Sequence, residues 1–286
     1  MVHPHQTLPH QTLPHQALVL LAIFNTAVQA SENNATKWKL ETRISVQGEF
    51  SQFSANALDF KGTYYNEPIE NGSGTFAELE FLNPVSGFSL RALAEDSKGG
   101  WETFSGYHIG FESSLVRGNF VYQPGVHYTD YAGIETFGAG VDIAYLMTDV
   151  SRVFGGLQVN REQIASGNVL ASTADIGYRK LWQYANGHAF AAQLNFAFTN
   201  TENETRKVSI AKYSTGFDYY FSQRWGVGLD LSHSIADVER YESVGLGVSA
   251  GYYYSPKIGV EFGVGLAQDN ENTLKANGAV LLTIRF

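Results

Sequence analysis

The sequence predicts an all-β fold, a transmembrane antiparallel up-and-down β-barrel of about 14 strands. Three observations carry this reading. From Trp38 to the C-terminus the dominant hydrophobic period is two, which sends apolar and polar side chains to opposite faces of extended strands. The alternating stretches recur as hairpins around short turns rich in Asn, Ser, Gly and Pro, residues with turn chemistry. The composition, with 16 Tyr, 19 Phe, 4 Trp and 29 Gly against 7 Pro and 16% charged residues, suits strands and tight turns better than helices.

The 286 residues fit one large domain, because nothing in the middle has the composition of a linker. With no Cys, disulfide frameworks, thiolate zinc sites and cysteine nucleophiles are excluded together. The net charge of −9 argues against a nucleic-acid partner, which calls for a basic patch. After residue 30 no apolar run approaches the roughly 20 residues of a membrane helix. A barrel escapes that test, because lipid-facing and lumen-facing residues alternate and average out.

Residues 1–30 read as a segment apart. ALVLLAIFNTAVQA has the length and apolarity of a signal-peptide core and ends in Val28-Gln29-Ala30, so cleavage is expected after Ala30, with the barrel in residues 31–286. The preceding MVHPHQTLPHQTLPHQ lacks the expected Lys or Arg and repeats HQTLP. His3, His5, His10 and His15 invite a metal-tract reading, but an irregular start upstream of a removable leader explains them better. No cofactor is expected.

Two alternating stretches open the barrel, Trp38 to Gln47 and Leu58 to Tyr64; whether they form one strand or two decides among 12, 14 and 16 strands. Six hairpins follow, turning at Asn83–Gly87, Val116–Gly118, Thr148–Arg152, Tyr184–His188, Ser222–Arg224 and Ser255–Lys257. The first is AELEFLNPVSGFSLRALAED. The last strand, LKANGAVLLTIRF, puts Leu274, Ala276, Gly278, Val280, Leu282, Ile284 and Phe286 on one face. Between hairpins lie more polar stretches, NREQIASGN, TNTENETRK and QDNENT. Short turns alternating with longer loops match a barrel whose turns face the periplasm. Tyr219 to Phe221, Trp225 and Tyr252 to Tyr254, beside the turns, are expected to form an interfacial girdle.

With the apolar side toward lipid, the other side lines a lumen. Glu78, Glu80, Arg91, Glu95, Glu112, Asp142, Asp175, Arg179, Asp218, Asp230, Glu261, Lys275 and Arg285 fall there. Carboxylates outnumber basic groups in this set, which favours cations if the charges stay unpaired. Cross-strand pairing would weaken that preference.

The stretch GTYYNEPIENGSGTFAELEFLNPVSGFSL, residues 62–90, resembles the early segment of a group of general bacterial porins. The hairpin rhythm and the terminal Phe286 are similar to porins at large, in which the last aromatic marks the chain for the barrel-assembly machinery. The resemblance implies a Gram-negative outer-membrane location, lipid as surroundings and passive diffusion of small hydrophilic solutes. Homo-oligomers occur among such proteins, and no stretch here marks a subunit interface. No catalytic residue is implied, and no enzyme activity is expected.

Other chemistry is weaker. Glu78 and Glu80, two apart, could form an acid and base pair, but lumen carboxylates explain them equally. His233 between Ser232 and Ser234 invites a lipase or protease reading, yet neighbours on a strand point to opposite faces. Asp269 to Thr273 lacks the spacing and terminal Glu of a calcium loop. The remaining alternatives are a non-channel structural or adhesive barrel and an exported β-sandwich with its apolar faces packed together.

Overall fold

A computed structural model describes residues 37–49, 54–70, 74–95, 106–164, 167–202, 207–237, 242–269 and 274–286. The leader read at residues 1–30 and the polar loop at 270–273 lie outside the described residues.

The opening stretches form two strands, β1 (Lys37–Glu49) and β2 (Ser54–Glu70). They are followed by β3 (Gly87–Glu95), β4 (Gly106–Arg117), β5 (Phe120–Tyr131), β6 (Ile134–Thr148), β7 (Ser151–Ile164) and β8 (Gly167–Gln183). The wall continues through β9 (Ala189–Glu202), β10 (Lys207–Tyr220), β11 (Trp225–Ala236), β12 (Glu242–Ser255), β13 (Ile258–Asp269) and β14 (Leu274–Arg285). Each strand pairs antiparallel with its sequence neighbours, and β1 closes on β14 with Ile44 opposite Leu282. No edge is left open, as lipid requires.

The alternation is realised on both faces. Leu157, Ile176, Leu194 and Val264 are exposed on the outside, whereas Gln158, Asp175, Gln193 and Asp142 line cavities inside. An apolar exterior around a polar interior suits a barrel in a bilayer. Toward the mouth that carries Lys37 and Phe286, outward rings pair as Phe120 with Tyr145, Trp182 with Phe190 and Trp225 with Tyr252, the last at 4.5 Å between centroids. The expected girdle is therefore present, but Tyr220 and Tyr253 do not belong to it, because their strand positions point inward.

Local chemistry explains the turns and one irregularity. Ala132 and Gly133 both have positive φ, 52° and 81°, the twist a two-residue hairpin needs, and Asp130 Oδ1 accepts from the Gly133 N–H at 3.2 Å. Pro124 sits inside β5, where its missing N–H would break a ladder. The β4–β5 pairing is interrupted there, between Glu112 opposite Gly125 and Leu115 opposite Tyr122.

Five of the six expected hairpins and the closing strand are observed. The first hairpin is not. AELEF is no strand: Phe76–Glu78 forms a 3-10 turn and Leu79–Leu82 one α-helical turn. Only GFSLRALAE enters the wall, as β3. The count of 14 survives because the uncertain opening supplies two strands, replacing the one this hairpin loses.

The expected asymmetry of connections also fails. The longest, between β2 and β3, has its described part, residues 74–86, at the mouth that carries both ends of the wall, among the short turns. The polar stretch NREQI, read as loop, extends β7 instead. A barrel strand can continue past the lipid into water, where polar residues are at no disadvantage.

Candidate functional site

The connection between β2 and β3 folds into the barrel and across one mouth. Its described part, residues 74–86, touches the wall on several sides. The Phe76 N–H donates to Gln223 O at 2.9 Å, and the Asn66 N–H donates to Ser86 O at 2.7 Å. Ser86 Oγ accepts from the Val116 N–H at 2.8 Å. At the entry Gly74 packs closely on the end of the Leu82 side chain, where a Cβ would fall 2.1 Å from Cδ1 and Leu82 would have to shift.

Two apolar clusters hold this plug. Phe76 and Leu79 pack with Trp38, Tyr65 and Ile69, flanked by Val85 and Tyr253. Phe81 packs with Leu181, Ala189, Ala191 and Tyr220 on the other side. Leu79 is 0% exposed, a burial that no lipid-facing wall residue needs. Trp38 was expected on the apolar outer side, but a register shift between Trp38 and Leu40 accompanies its turn into the first cluster, and it is buried. A bulge reverses side-chain parity.

Charge completes the attachment. Arg43 Nη2 donates to Glu80 Oε2 at 2.7 Å, and Arg43 Nε lies 2.6 Å from Glu41 Oε1. Glu78 accepts from Arg179 and, at 2.6 Å, from the Tyr220 hydroxyl. The guanidinium carbons of Arg152 and Arg179 lie 4.7 and 5.4 Å from the centre of the Phe81 ring. The Arg179–Glu78 pair is shielded from water and holds more strongly than a surface pair, whereas Arg43 and Glu80 stay partly open to it, with side chains 35% and 45% exposed.

Glu78 and Glu80, read from the sequence as inward positions on one strand face, are carried instead by the plug, on its 3-10 and α-helical turns. Arg285 also points inward but is only 2% exposed. Its Nε donates to Glu41 Oε2 at 2.6 Å, and its Nη1 donates to Phe76 O at 3.0 Å and to Pro256 O at 2.8 Å. It anchors the plug and presents no free charge to a solute. Phe286 locks the barrel seam: its carbonyl accepts from the Lys39 and Leu40 N–H groups, and its N–H donates to Leu40 O at 2.7 Å.

The other residues lie on the inner wall. Arg91 grips Asp59, with Nη2 to Oδ2 at 2.9 Å. Glu112 accepts from Gln123 at 3.3 Å. Asp142 and Asp175 lean over Gly156, where a Cβ would fall 2.0 and 2.8 Å from their carboxylate oxygens. Asp218 is 3.7 Å from Arg179. Asp230 leans toward Gly216, and Glu261 lines a small cavity with Asp218. Glu95 and Lys275 have inward strand parity and pair with Gly106 and Ala267.

The interior holds polar cavities of about 530, 500 and 310 Å³. The first two share Gln123, Asp142 and Gln158. Sequence reasoning missed Arg43, Asp59, Lys61, Arg152 and Lys212 on these inner walls. Arg43 and Lys61 belong to the opening stretches whose strand identity was open, and Arg152 was placed in a turn. The signal for Arg43 was present, since it shares parity with Ser45 and Gln47.

His233 Nε2–H donates to Glu242 Oε1 at 2.8 Å. Ser232 faces the interior, with its hydroxyl close to Gly245. The adjacent serine and histidine are therefore on opposite faces, as the strand period requires. Among the described residues no group of three or more His, Cys, Asp or Glu is arranged to hold a metal ion.

Glu80 carries a pH consequence. Burial pushes its carboxyl up, but the positive charges of Arg43, Lys61 and Arg285 outweigh that and hold it below the ordinary value. A depressed folded-state pKa stabilises the attached plug above the unfolded value of about 4.3 and loses that contribution as pH falls below it. Bilayer conductance is expected to rise below about pH 4, with a smaller acid step in Glu80→Gln. An acid step of equal size in that variant would contradict the assignment.

No protein-family model and no curated protein matches the sequence. Solved structures do share the fold. The Acinetobacter baumannii outer membrane protein Omp33 aligns at a TM-score of 0.57 and 16% identity, covering 88% of this chain and 100% of that one. A bacterial polysaccharide outer membrane secretin aligns at 0.51 and 8% identity, over 87% of this chain and 98% of that one. A loop-deletion mutant of OmpT, an outer membrane protein of Vibrio cholerae, aligns at 0.51 and 7% identity, over 87% and 98%. At these identities the likeness is one of fold. The chain therefore has the closed β-barrel fold of outer-membrane proteins, with an apolar exterior suited to that lipid setting and one mouth occupied by its own β2–β3 connection.

Proposed function

We propose that this protein is a bacterial outer-membrane channel for passive diffusion of small hydrophilic solutes, weakly cation-preferring, with the β2–β3 plug limiting passage at one mouth. The observation that carries the reading is the set of polar cavities on the inner wall, bordered by charged side chains and enclosed by an apolar exterior. A wholly structural barrel has no need of that interior. Among the described residues, Glu112, Asp142, Asp175, Asp230 and Glu261 make no ion pair within 4.0 Å, against Lys61, Arg152, Lys212 and Lys275 on the basic side. The small excess of carboxylate supports a mild preference for cations. The cross-strand pairs Arg91–Asp59 and Arg179–Asp218 keep it mild.

We read the protein as a channel and not an enzyme. The Ser232 and His233 geometry gives a hydrolase no adjacent pair, and the paired Glu78 and Glu80 already have arginine partners. The test is the reversal potential of the refolded chain under a salt gradient. A cation-to-anion permeability ratio of about 2 is expected; a ratio below one would overturn the charge argument while leaving the barrel intact. The plug favours one second reading, a sealed structural barrel, which predicts no conductance with or without the plug.

A further inference from the structure

The plug's carboxylates indicate what their arginine partners can bind. Glu78 and Glu80 sit two residues apart on one short helical segment and occupy different wall arginines, Arg179 on β8 and Arg43 on β1. Beside them lies a cavity of about 310 Å³, lined by Arg43, Arg152 and Arg179 together with Glu78 and Glu80. Arg152 borders it with its Nε buried and unpartnered, and the Nε of Arg179 is also unpartnered. The cavity is polar, large enough for a small organic anion, and already holds two carboxylates in guanidinium partnership.

We propose that this cavity is a binding site for small dicarboxylates, which replace Glu78 and Glu80 on Arg179 and Arg43 and so release the plug. The inference rests on the channel reading. Its physical basis is charge balance. Withdrawing the plug alone strips Arg179 of its closest carboxylate and leaves it only the more distant Asp218, at 3.7 Å, while Arg43 keeps only Glu41; losing one side of each plug ion pair opposes opening. A dicarboxylate supplies one carboxylate to each arginine, so the exchange keeps the number of ion pairs constant. Arg152, with no carboxylate of its own, adds attraction for a second negative charge. Planar guanidinium forks suit carboxylates specifically.

Access fits the same chemistry. The 310 Å³ and 530 Å³ cavities share Arg43, Ser89, Glu112 and Gln123. The larger one carries Lys61 beside the Arg91–Asp59 pair on its β2–β3 side, so Lys61 offers an anion one basic foothold along a wall that is elsewhere acidic. A ligand that opens by substitution must present two carboxylates at once. A monocarboxylate releases only one attachment.

The test is single-channel recording of the refolded full-length chain in a planar bilayer, with succinate or acetate exchanged for chloride at constant ionic strength. Succinate is expected to raise mean current about fivefold by shifting the plug toward its released state, and acetate to have little effect. Glu78→Gln with Glu80→Gln should conduct without succinate and show no further rise. If that variant fails to refold, Arg152→Gln, which leaves both plug ion pairs intact, should fold and weaken the succinate response.

Equal effects of succinate and acetate, or none, would overturn the proposal. A chain with the plug excised separates the two readings. If it conducts while succinate leaves the full chain unchanged, the dicarboxylate site fails and the channel stands. If it too is silent, the channel reading fails as well.

Discussion

Replacing residues 74–86 with a short Gly-Ser turn is expected to raise single-channel conductance by about an order of magnitude. The segment reaches Gln223 through the Phe76 N–H, Val116 through Ser86, Arg43 through Glu80 and Arg179 through Glu78. Those partners belong to β1, β4, β8 and the β10–β11 turn, so one short connection bridges the mouth. Its removal opens that mouth without altering the 14-strand wall, since β2 already pairs with β3 from Ala57 opposite Glu95 to Tyr65 opposite Gly87. A heat-modifiable gel shift would confirm that the shortened chain still forms a barrel. An unchanged conductance would mean that the segment does not limit passage.

Arg285→Ala is expected to cost about 3–5 kcal/mol of unfolding free energy, the range for breaking one side of a buried ion pair. Arg285 and Glu41 have side chains 1% and 2% exposed, and removing the guanidinium leaves a buried carboxylate held by Arg43 alone. The change also orphans the carbonyls of Phe76 and Pro256, and unpaired buried acceptors are costly. Arg285→Lys should recover only part of the loss, because one ammonium cannot reproduce the fork that reaches three acceptors. Denaturant unfolding in lipid measures both variants. A loss below about 1 kcal/mol for Arg285→Ala would place the pair in the surface class.

The wall was legible in the sequence because lipid and lumen impose a strict period of two. Val244, Leu246 and Val248 face out while Gly245, Gly247 and Ser249 face in, and their alternation is plain in the letters. The plug was not legible, for a physical reason. Ala77, Leu79 and Phe81 alternate with Glu78 and Glu80, so a four-residue helical turn carried the same pattern as a strand and was too short to display a period of 3.6. What distinguishes it is burial of both sides, Glu78 at 3% and Leu79 at 0% exposure, and burial follows from the tertiary structure.

The inner charges were legible where the strand was certain. Asp142, Asp175, Asp218 and Glu261, assigned inward from parity, line interior cavities. Their pairing was not, because Arg179 finds its principal partner 101 residues away on the plug. Likewise Trp38 carried the apolar signature of an outward residue, and only the irregularity before Leu40 turns it inward. A single extra residue reverses every side chain beyond it. Nothing in the local sequence announces that reversal.

The central claim is that the barrel is a channel closed at one mouth by its own β2–β3 connection. Planar-bilayer conductance of the refolded chain, measured side by side with the chain lacking residues 74–86, tests it most directly. The account predicts small or rare current steps from the full chain and large, sustained ones from the shortened chain. Silence from a shortened chain that has demonstrably folded would contradict it.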